Sequence, residues 1–180
     1  LIQEILDFRK AEDAGFSHTH IRRVSVSSLL RTQFEWFYPL SEQHQIQFKI
    51  DAPKELYWNT DSVYFKKILA NLISNAFKYT EDGGTVRISF HEGENFLVLK
   101  VYNTGKGIEE ADMQNIFDRY RILGTMDNDD NRQNTARNGL GLFICHSLVQ
   151  SLGGKIDIES EVGQYAEFTV TLPFGIEEES

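Results

Sequence analysis

The 180-residue sequence predicts an α+β fold, a two-layer sandwich with helices on one face of a mixed, mostly antiparallel sheet. Three observations predict it. Ile46-Gln47-Phe48-Lys49-Ile50 alternates apolar and polar residues, as a half-buried strand does. Two pairs of strand-like runs, Thr85–Phe90 with Phe96–Asn103 and Lys155–Ser160 with Tyr165–Leu172, are joined by turns at residues 91–95 and at Gly163. The stretches about 28–45, 62–79 and 140–152 carry apolar residues at helical spacing.

Taken in order, residues 1–12 place Leu1, Ile5 and Phe8 on one stripe, with Ile2 and Leu6 beside them, and Gly15 ends the run. His20 to Ser27 reads as a strand through Ile21, Val24 and Val26. Ser27-Ser28 can cap a helix to about Gln45 that carries Leu29, Leu30, Phe34, Phe37 and Leu40, with Pro39 expected to kink it. Leu56-Tyr57-Trp58 is a short strand, and Asp61 is expected to cap a long helix running to about Tyr79. Glu81-Asp82-Gly83-Gly84 is a turn. Thr104–Ile108 is a glycine loop, and Glu110–Arg119 a short helix. Residues 122–138 are polar and without periodicity, a length of irregular chain that compact domains keep for function. The helix from Leu140 stops at Gly153-Gly154.

Composition narrows the function. A net charge of −9 with no Lys/Arg run argues against nucleic acid or an anionic membrane as partner, since both select for a basic face. One cysteine, Cys145, excludes an internal disulfide and suits a reducing compartment. No apolar run approaches the ~20 residues of a membrane span, and no signal peptide is visible. The sequence starts Leu1-Ile2-Gln3 and ends on acidic residues, which reads as a piece of a larger protein.

The central helix carries the chemistry. Asn71, Asn75 and Lys78 share one face, while Ile68, Leu69, Leu72, Ile73 and Ala76 cover the rest. Asparagine is a poor helix former, so two of them mid-helix point to a need for neutral oxygen ligands beside a cation, as at a polyphosphate-metal site. Three further stretches follow: Asn103-Thr104-Gly105-Lys106-Gly107-Ile108 at a strand end, Phe117-Asp118-Arg119-Tyr120, and Asn138-Gly139-Leu140-Gly141-Leu142 entering a helix. Glycines allow close approach of backbone to a ligand, and a helix start at Leu140 offers free N–H groups to phosphate.

In this order the four stretches resemble the asparagine box, first glycine box, phenylalanine box and second glycine box of the ATP-binding domain of sensor histidine kinases. That domain is one branch of a superfamily that also holds gyrase-type ATPases and related chaperones. The resemblance covers about residues 21–173, closing on Gly153-Gly154-Lys155-Ile156, Ser160, Gly163, Phe168, Leu172 and Pro173. It implies a Bergerat-type sandwich with a mobile ATP lid. It implies domain limits as well: residues 1–14 as the end of a dimerisation helix, 15–20 as a linker, 21–174 as the catalytic domain, and 175–180 as an acidic tail.

Carried over position by position, the resemblance makes Asn75 a ligand of Mg²⁺ and Asn71 a contact of the phosphate-metal group. Lys78 neutralises phosphate charge, and Asn71 and Lys78 are the catalytic pair. Tyr79 flanks ribose or base, Asn103 meets the adenine amino group, and Gly105, Gly107 and Ile108 line the base. Arg119, Tyr120 and Arg121 lie at the lid base, and Gly139, Leu140, Gly141 and Leu142 meet phosphate. The implied cofactors are ATP and Mg²⁺. Hydrolysing relatives carry glutamate, a general base, where this chain has Asn71, which takes no proton at neutral pH. Transfer to another group is therefore favoured over hydrolysis.

The implied function is donation of the γ-phosphoryl group to a histidine on an upstream dimerisation domain, within a bacterial two-component sensor. A response regulator receiver domain is the implied second partner. The isolated domain is expected to be a cytoplasmic monomer and the parent a homodimeric inner-membrane sensor. Two alternatives are a nucleotide-binding signalling module without transfer, and a related ATPase or serine kinase.

Some positions depart from the family pattern. Asn103 stands where aspartate is usual, and a neutral acceptor bonds more weakly than a carboxylate, so softened adenine binding is expected. Arg137 replaces a common glycine, and Tyr165-Ala166 replace glycine and threonine. Phe16-Ser17-His18 is not read as a phosphoacceptor, because Thr19 and Arg22 stand where an acidic residue and a proline belong. His18 and His20 read as linker residues, His44 and His91 as surface residues, and His146 as helix packing or a groove edge. Cys145 reads as core, and Trp36, Phe37 and Trp58 as core or sheet packing.

Overall fold

The computed structural model describes residues 19–118 and 141–176. The element order is β1 (Ile21–Ser25), α1 (Val26–Gln43), β2 (Gln47–Asp51), β3 (Tyr57–Asp61), α2 (Ser62–Tyr79), β4 (Thr85–Glu92), β5 (Phe96–Thr104), α3 (Glu110–Met113), α4 (Gly141–Ser151), β6 (Lys155–Glu161) and β7 (Tyr165–Pro173).

Five strands form the main sheet in the order β2-β4-β5-β7-β6. β2 runs parallel to β4, and the other three pairings are antiparallel. Alternate residues of the central strands face the helices: Val86 and Ile88, then Leu97, Leu99 and Val101, then Phe168, Val170 and Leu172, all buried. α2 lies across this face and against α4, burying Phe65, Ile68, Leu69, Leu72, Ile73, Ala76 and Phe77. Each such side chain contributes about 1.5–3 kcal/mol, so α2 is the main source of apolar burial between the layers.

The expected strands at 20–27 and 56–58 do not join the main sheet. β1 and β3 pair only with each other, antiparallel, with Val24 opposite Trp58. The end of β7 holds this ribbon in place. The Trp58 indole Nε1 donates to the Pro173 carbonyl (3.1 Å), the Gly175 N–H to the Asn59 carbonyl (2.9 Å), and Phe174 meets the Trp58 ring edge-on.

Asp61 caps α2, its Oδ1 accepting from the N–H groups of Val63 (2.8 Å) and Tyr64 (3.0 Å). The cap of α1 is Ser25, not Ser27 or Ser28, with its Oγ accepting from the Ser28 N–H at 3.3 Å. Ser27 is committed elsewhere, accepting from the Leu56 N–H at 2.6 Å. α1 passes through Pro39 to Gln43. The helix expected over 110–119 has helical geometry only to Met113, followed by turns.

Trp36 is the clearest correction. It is 77% exposed on α1, whereas Trp58 is buried and Phe37 is half-buried against Phe77. Cys145 is fully buried as expected, and burial pushes its thiol up to about 12. His146 stacks on Phe117, a packing role. His44 is paired with Asp82 at 2.9 Å, tying the end of α1 to the turn after α2. Among the described residues, no helix is long and apolar enough to cross a membrane. The sandwich class stands, with one mixed sheet and the ribbon beside it.

Candidate functional site

α2 leaves one polar strip uncovered. Asn71 and Asn75 are half-buried, and Lys78 and Tyr79 are exposed. The strip meets a different loop at each end. At its Asn71 end, a Cβ placed on Gly141 would lie 3.8 Å from Asn71 Oδ1, so the first residue of α4 stands beside that amide. The N–H groups of the first turn of α4 have no partner within the helix and carry its positive end.

At the other end, Gly105 packs on the last turn of α2. A Cβ there would lie 2.2 Å from the Tyr79 carbonyl oxygen, and its φ of +153° is one that side chains rarely adopt. Gly107 (φ +65°) packs as closely on the Glu161 carbonyl. The close approach made by these two glycines is therefore to the chain's own backbone. Three hydrogen bonds fix the loop to the β6–β7 turn: Gly105 N–H to Gln164 O (3.0 Å), Gly163 N–H to Lys106 O (2.8 Å), and Ile108 N–H to Ser160 Oγ (2.8 Å). Ser160 passes its own proton on to the Tyr165 carbonyl at 2.6 Å. Ile108 is half-buried against the core.

Asn103 continues the inward parity of Leu97, Leu99 and Val101, so its amide lies under the helices and is buried. Its Nδ2 donates to the Thr104 carbonyl at 3.1 Å. Opposite it on β7 is Ala166, also buried, which leaves room beside the amide. Tyr165 points to the other face of the sheet, where its ring stacks on Tyr102 at 5.5 Å. The departure at 165 therefore lies on the sheet face away from Asn103, and that at 166 keeps a small residue opposite Asn103.

Lys78 lies with Nζ 5.0 Å from the centroid of the Tyr79 ring. Its ammonium can swing to an anion bound over the strip, because nothing but this ring contact holds it among the described residues. Phe117 bridges two elements, stacking on His146 of α4 (5.2 Å) and meeting Phe168 of β7 edge-on (6.4 Å). Leu142 packs on the core from α4.

Of the expected site residues, the structure sets Gly141 beside Asn71, and Gly105 beside both Tyr79 and Asn103. Arg119, Tyr120, Gly139, Leu140 and the expected lid lie outside the described residues. Sequence reasoning named Ala166 as a departure but not as the residue opposite Asn103, and it gave Thr104 no role of its own.

The donor set suits a magnesium ion shared with phosphate better than a metal held by protein alone. Among the described residues, no group of three or more His, Cys, Asp or Glu side chains could hold a metal. Two half-buried amides and a lysine instead offer hard, neutral oxygen and positive charge.

The sequence profile described as "Histidine kinase-, DNA gyrase B-, and HSP90-like ATPase" matches residues 60–176. Sensor histidine kinase WalK of Bacillus subtilis is 32% identical over 185 residues, covering 99% of this chain and 29% of WalK. Sensor protein SrrB of Staphylococcus aureus is 29% identical over 173 residues, covering 96% of this chain and 29% of SrrB. The chain therefore spans under a third of the length of these relatives. Histidine kinase ThkA, solved in complex with response regulator protein TrrA, has the same fold, with a TM-score of 0.71 at 21% identity over 96% of this chain and 48% of that one.

Proposed function

Because this chain belongs to the histidine kinase-, DNA gyrase B-, and HSP90-like ATPase family, we propose that it binds Mg-ATP along the polar strip of α2. From there it donates the γ-phosphoryl group to a histidine on a separate dimerisation domain of a two-component sensor. The supporting observation is the strip itself, which touches the glycine loop at Tyr79 and the start of α4 at Asn71.

In this reading the base sits by Asn103 and the glycine loop, and the phosphates run along α2 toward α4. Asn75 supplies an amide oxygen to Mg²⁺, and the ion when bound offsets the negative charge of the phosphate oxygens. Asn71 orients the phosphate-metal group, and Lys78 adds positive charge as the γ-phosphoryl is transferred. The bond from the γ-phosphorus to its bridging oxygen breaks as the bond to the histidine nitrogen forms, and ADP leaves. Asn71 takes no proton at neutral pH, so this helix offers water no general base at that place. Positioning and charge stabilisation then carry the transfer.

The names of WalK and SrrB support a sensor as the parent protein, and the ThkA complex supports a response regulator as the downstream partner. We assign residues 21–174 to the catalytic domain, residues 1–14 to the end of a dimerisation helix, and an inner-membrane location to the parent.

Calorimetric titration with ATP and ADP, with and without Mg²⁺, tests the reading. Asn75→Ala is expected to lower Mg-ATP affinity about tenfold, roughly 1.4 kcal/mol, and to change metal-free ADP binding little. A supplied histidine-bearing helical hairpin should gain an acid-labile phosphoryl group from ATP. No binding of either nucleotide in either condition would overturn the proposal, and binding without transfer would leave a signalling module in its place.

A further inference from the structure

α1 carries two apolar stripes. Val26, Leu30, Phe37 and Ser41 follow one another at helical spacing and turn toward the core. Leu29, Trp36 and Leu40 repeat on the neighbouring side, with Gln33 between them. On this second stripe Leu29 is half-buried, and Trp36 and Leu40 are exposed. The charged residues of the helix, Arg31, Glu35 and Glu42, fall on a third side. An uncharged stripe with an exposed tryptophan has the composition of an interface centre and not of a solvated helix face.

α2 extends this surface. Phe37 stacks on Phe77 at 5.0 Å, which identifies the sides of the two helices that meet. Lys66, Ala70 and Ser74 share the Phe77 side of α2 at helical spacing, Lys66 and Ser74 exposed and Ala70 half-buried. The two helices run the same way, since His44, just past α1, is paired with Asp82, just past α2. The helix pair therefore presents one outward surface. It has Lys66 at one end, Trp36 near its middle, and the exposed Glu81 at the other end.

We propose that this surface pairs with the same surface of a second copy of the chain, the α2 helices antiparallel about a two-fold axis near Ser74 and Trp36. The charges select this occupant and this orientation. Lys66 and Glu81 are about 22 Å apart along α2, at 1.5 Å per residue. An antiparallel copy sets Lys66 of each chain against Glu81 of the other, twice per dimer. A parallel copy sets lysine against lysine and glutamate against glutamate. The midpoint between Lys66 and Glu81 falls beside Ser74, within one turn of Phe77 and so close to Trp36. Each Trp36 then meets the uncharged stripe of the other copy at the centre, with the charge pairs at the rim. Two helix faces about 27 Å long and together about 20 Å wide offer roughly 500 Å² per copy, below the ~800 Å² of a standard interface. The pairing is therefore weak, and a net charge of −9 on each copy weakens it further. A weak contact suffices for two copies carried on one dimeric parent, where the effective concentration is on the order of mM.

Sedimentation equilibrium of the full chain from about 10 μM to about 1 mM tests the pairing. The mass is expected to be that of a monomer at the low end and to rise toward twice that value, with a Kd of about 0.5 mM. Trp36→Ser, and separately Leu40→Ser, should weaken association at least about tenfold while the urea midpoint stays in place. Lys66→Glu and Glu81→Lys should each weaken it about threefold, and the double variant should recover most of that loss. A monomer throughout the range would overturn the pairing, as would association that survives Trp36→Ser. A double variant no better than either single change would overturn the antiparallel arrangement. Shielding of Trp36 from acrylamide in the dilute monomer would also overturn the proposal, since another part of the same chain would then cover the stripe.

Discussion

α1 and α2 are both 18 residues long, and they relate to the core in opposite ways. α2 packs on the sheet and against α4 and buries seven residues, Phe65 through Phe77. α1 buries Val26, Leu30 and Ser41, and leaves Trp36, Tyr38 and Leu40 exposed. It lies at the margin, where Phe34 stacks on Phe48 (5.2 Å) and Phe37 on Phe77 (5.0 Å). An enclosed helix has little surface left over, so what remains polar on it is informative. On α2 that remainder is Lys66, Lys67, Ser74 and Lys78, exposed, with Ser62, Asn71 and Asn75 half-buried, and the two asparagines stand out among them. On a marginal helix, apolar character does not report burial.

The comparison breaks most readily at Leu72. This residue is fully buried between the asparagines, on the face of α2 turned to the core. Leu72→Ala is expected to cost about 3 kcal/mol, within the 2–5 range for a core truncation. Urea unfolding measures it through the midpoint, with an unchanged slope. A loss below about 1 kcal/mol would mean that the layers can close around the missing volume, and that α2 is not the enclosed element described here.

The caps provide a smaller contrast. Asp61 is buried, and besides capping α2 through Oδ1 it accepts from the His20 N–H through Oδ2 at 2.8 Å. One carboxylate thus joins the start of the central helix to the entry of β1. Ser25 caps α1 with a single exposed bond. Asp61→Ala is expected to cost about 2 kcal/mol, the upper end for a cap, because truncation leaves three N–H groups without their acceptor. Equal losses for Asp61→Ala and Ser25→Ala, read from thermal or urea unfolding, would show that burial and the third bond add nothing.

These residues also mark what could be read in advance. Asp61 directly precedes a long periodic run and is the one carboxylate among the cap-capable residues Asn59, Thr60, Asp61 and Ser62, so its role was legible. Ser25, Ser27 and Ser28 are all capable caps. The choice among them depends on the Leu56 N–H, 29 residues away from Ser27, which draws that hydroxyl off. The strands were legible from alternation, but the separation of the β1–β3 ribbon was not, because it depends on Trp58 meeting Pro173 across the chain. At the site, residue types and spacing indicated Asn71, Asn75 and Lys78, and the family resemblance added Asn103. The orientation of the Asn103 amide was beyond the sequence, since it is set by a backbone carbonyl that every residue carries. The glycines at 105 and 107 were legible as necessary, but the surfaces they approach, at Tyr79 and Glu161, come from distant segments.

The smallest expected effect is at Trp36, the residue that sequence patterning placed in the core. Trp36→Ser removes a large ring that is 77% exposed and has little to lose by its removal. Its effect on stability should stay within about 0.5 kcal/mol, as for surface substitutions away from special contacts. Fluorescence separates it from Trp58, the only other tryptophan, which is buried with its indole N–H bonded. Acrylamide should quench a large part of the emission of the unaltered chain. In Trp36→Ser, the emission that remains should come from Trp58, lie to the blue, and resist the quencher. A Trp36→Ser variant that loses more than about 1 kcal/mol, or that keeps its quenchable emission, would place Trp36 in contact with other parts of the chain. The two helices would then differ in what covers them, and not in whether they are covered.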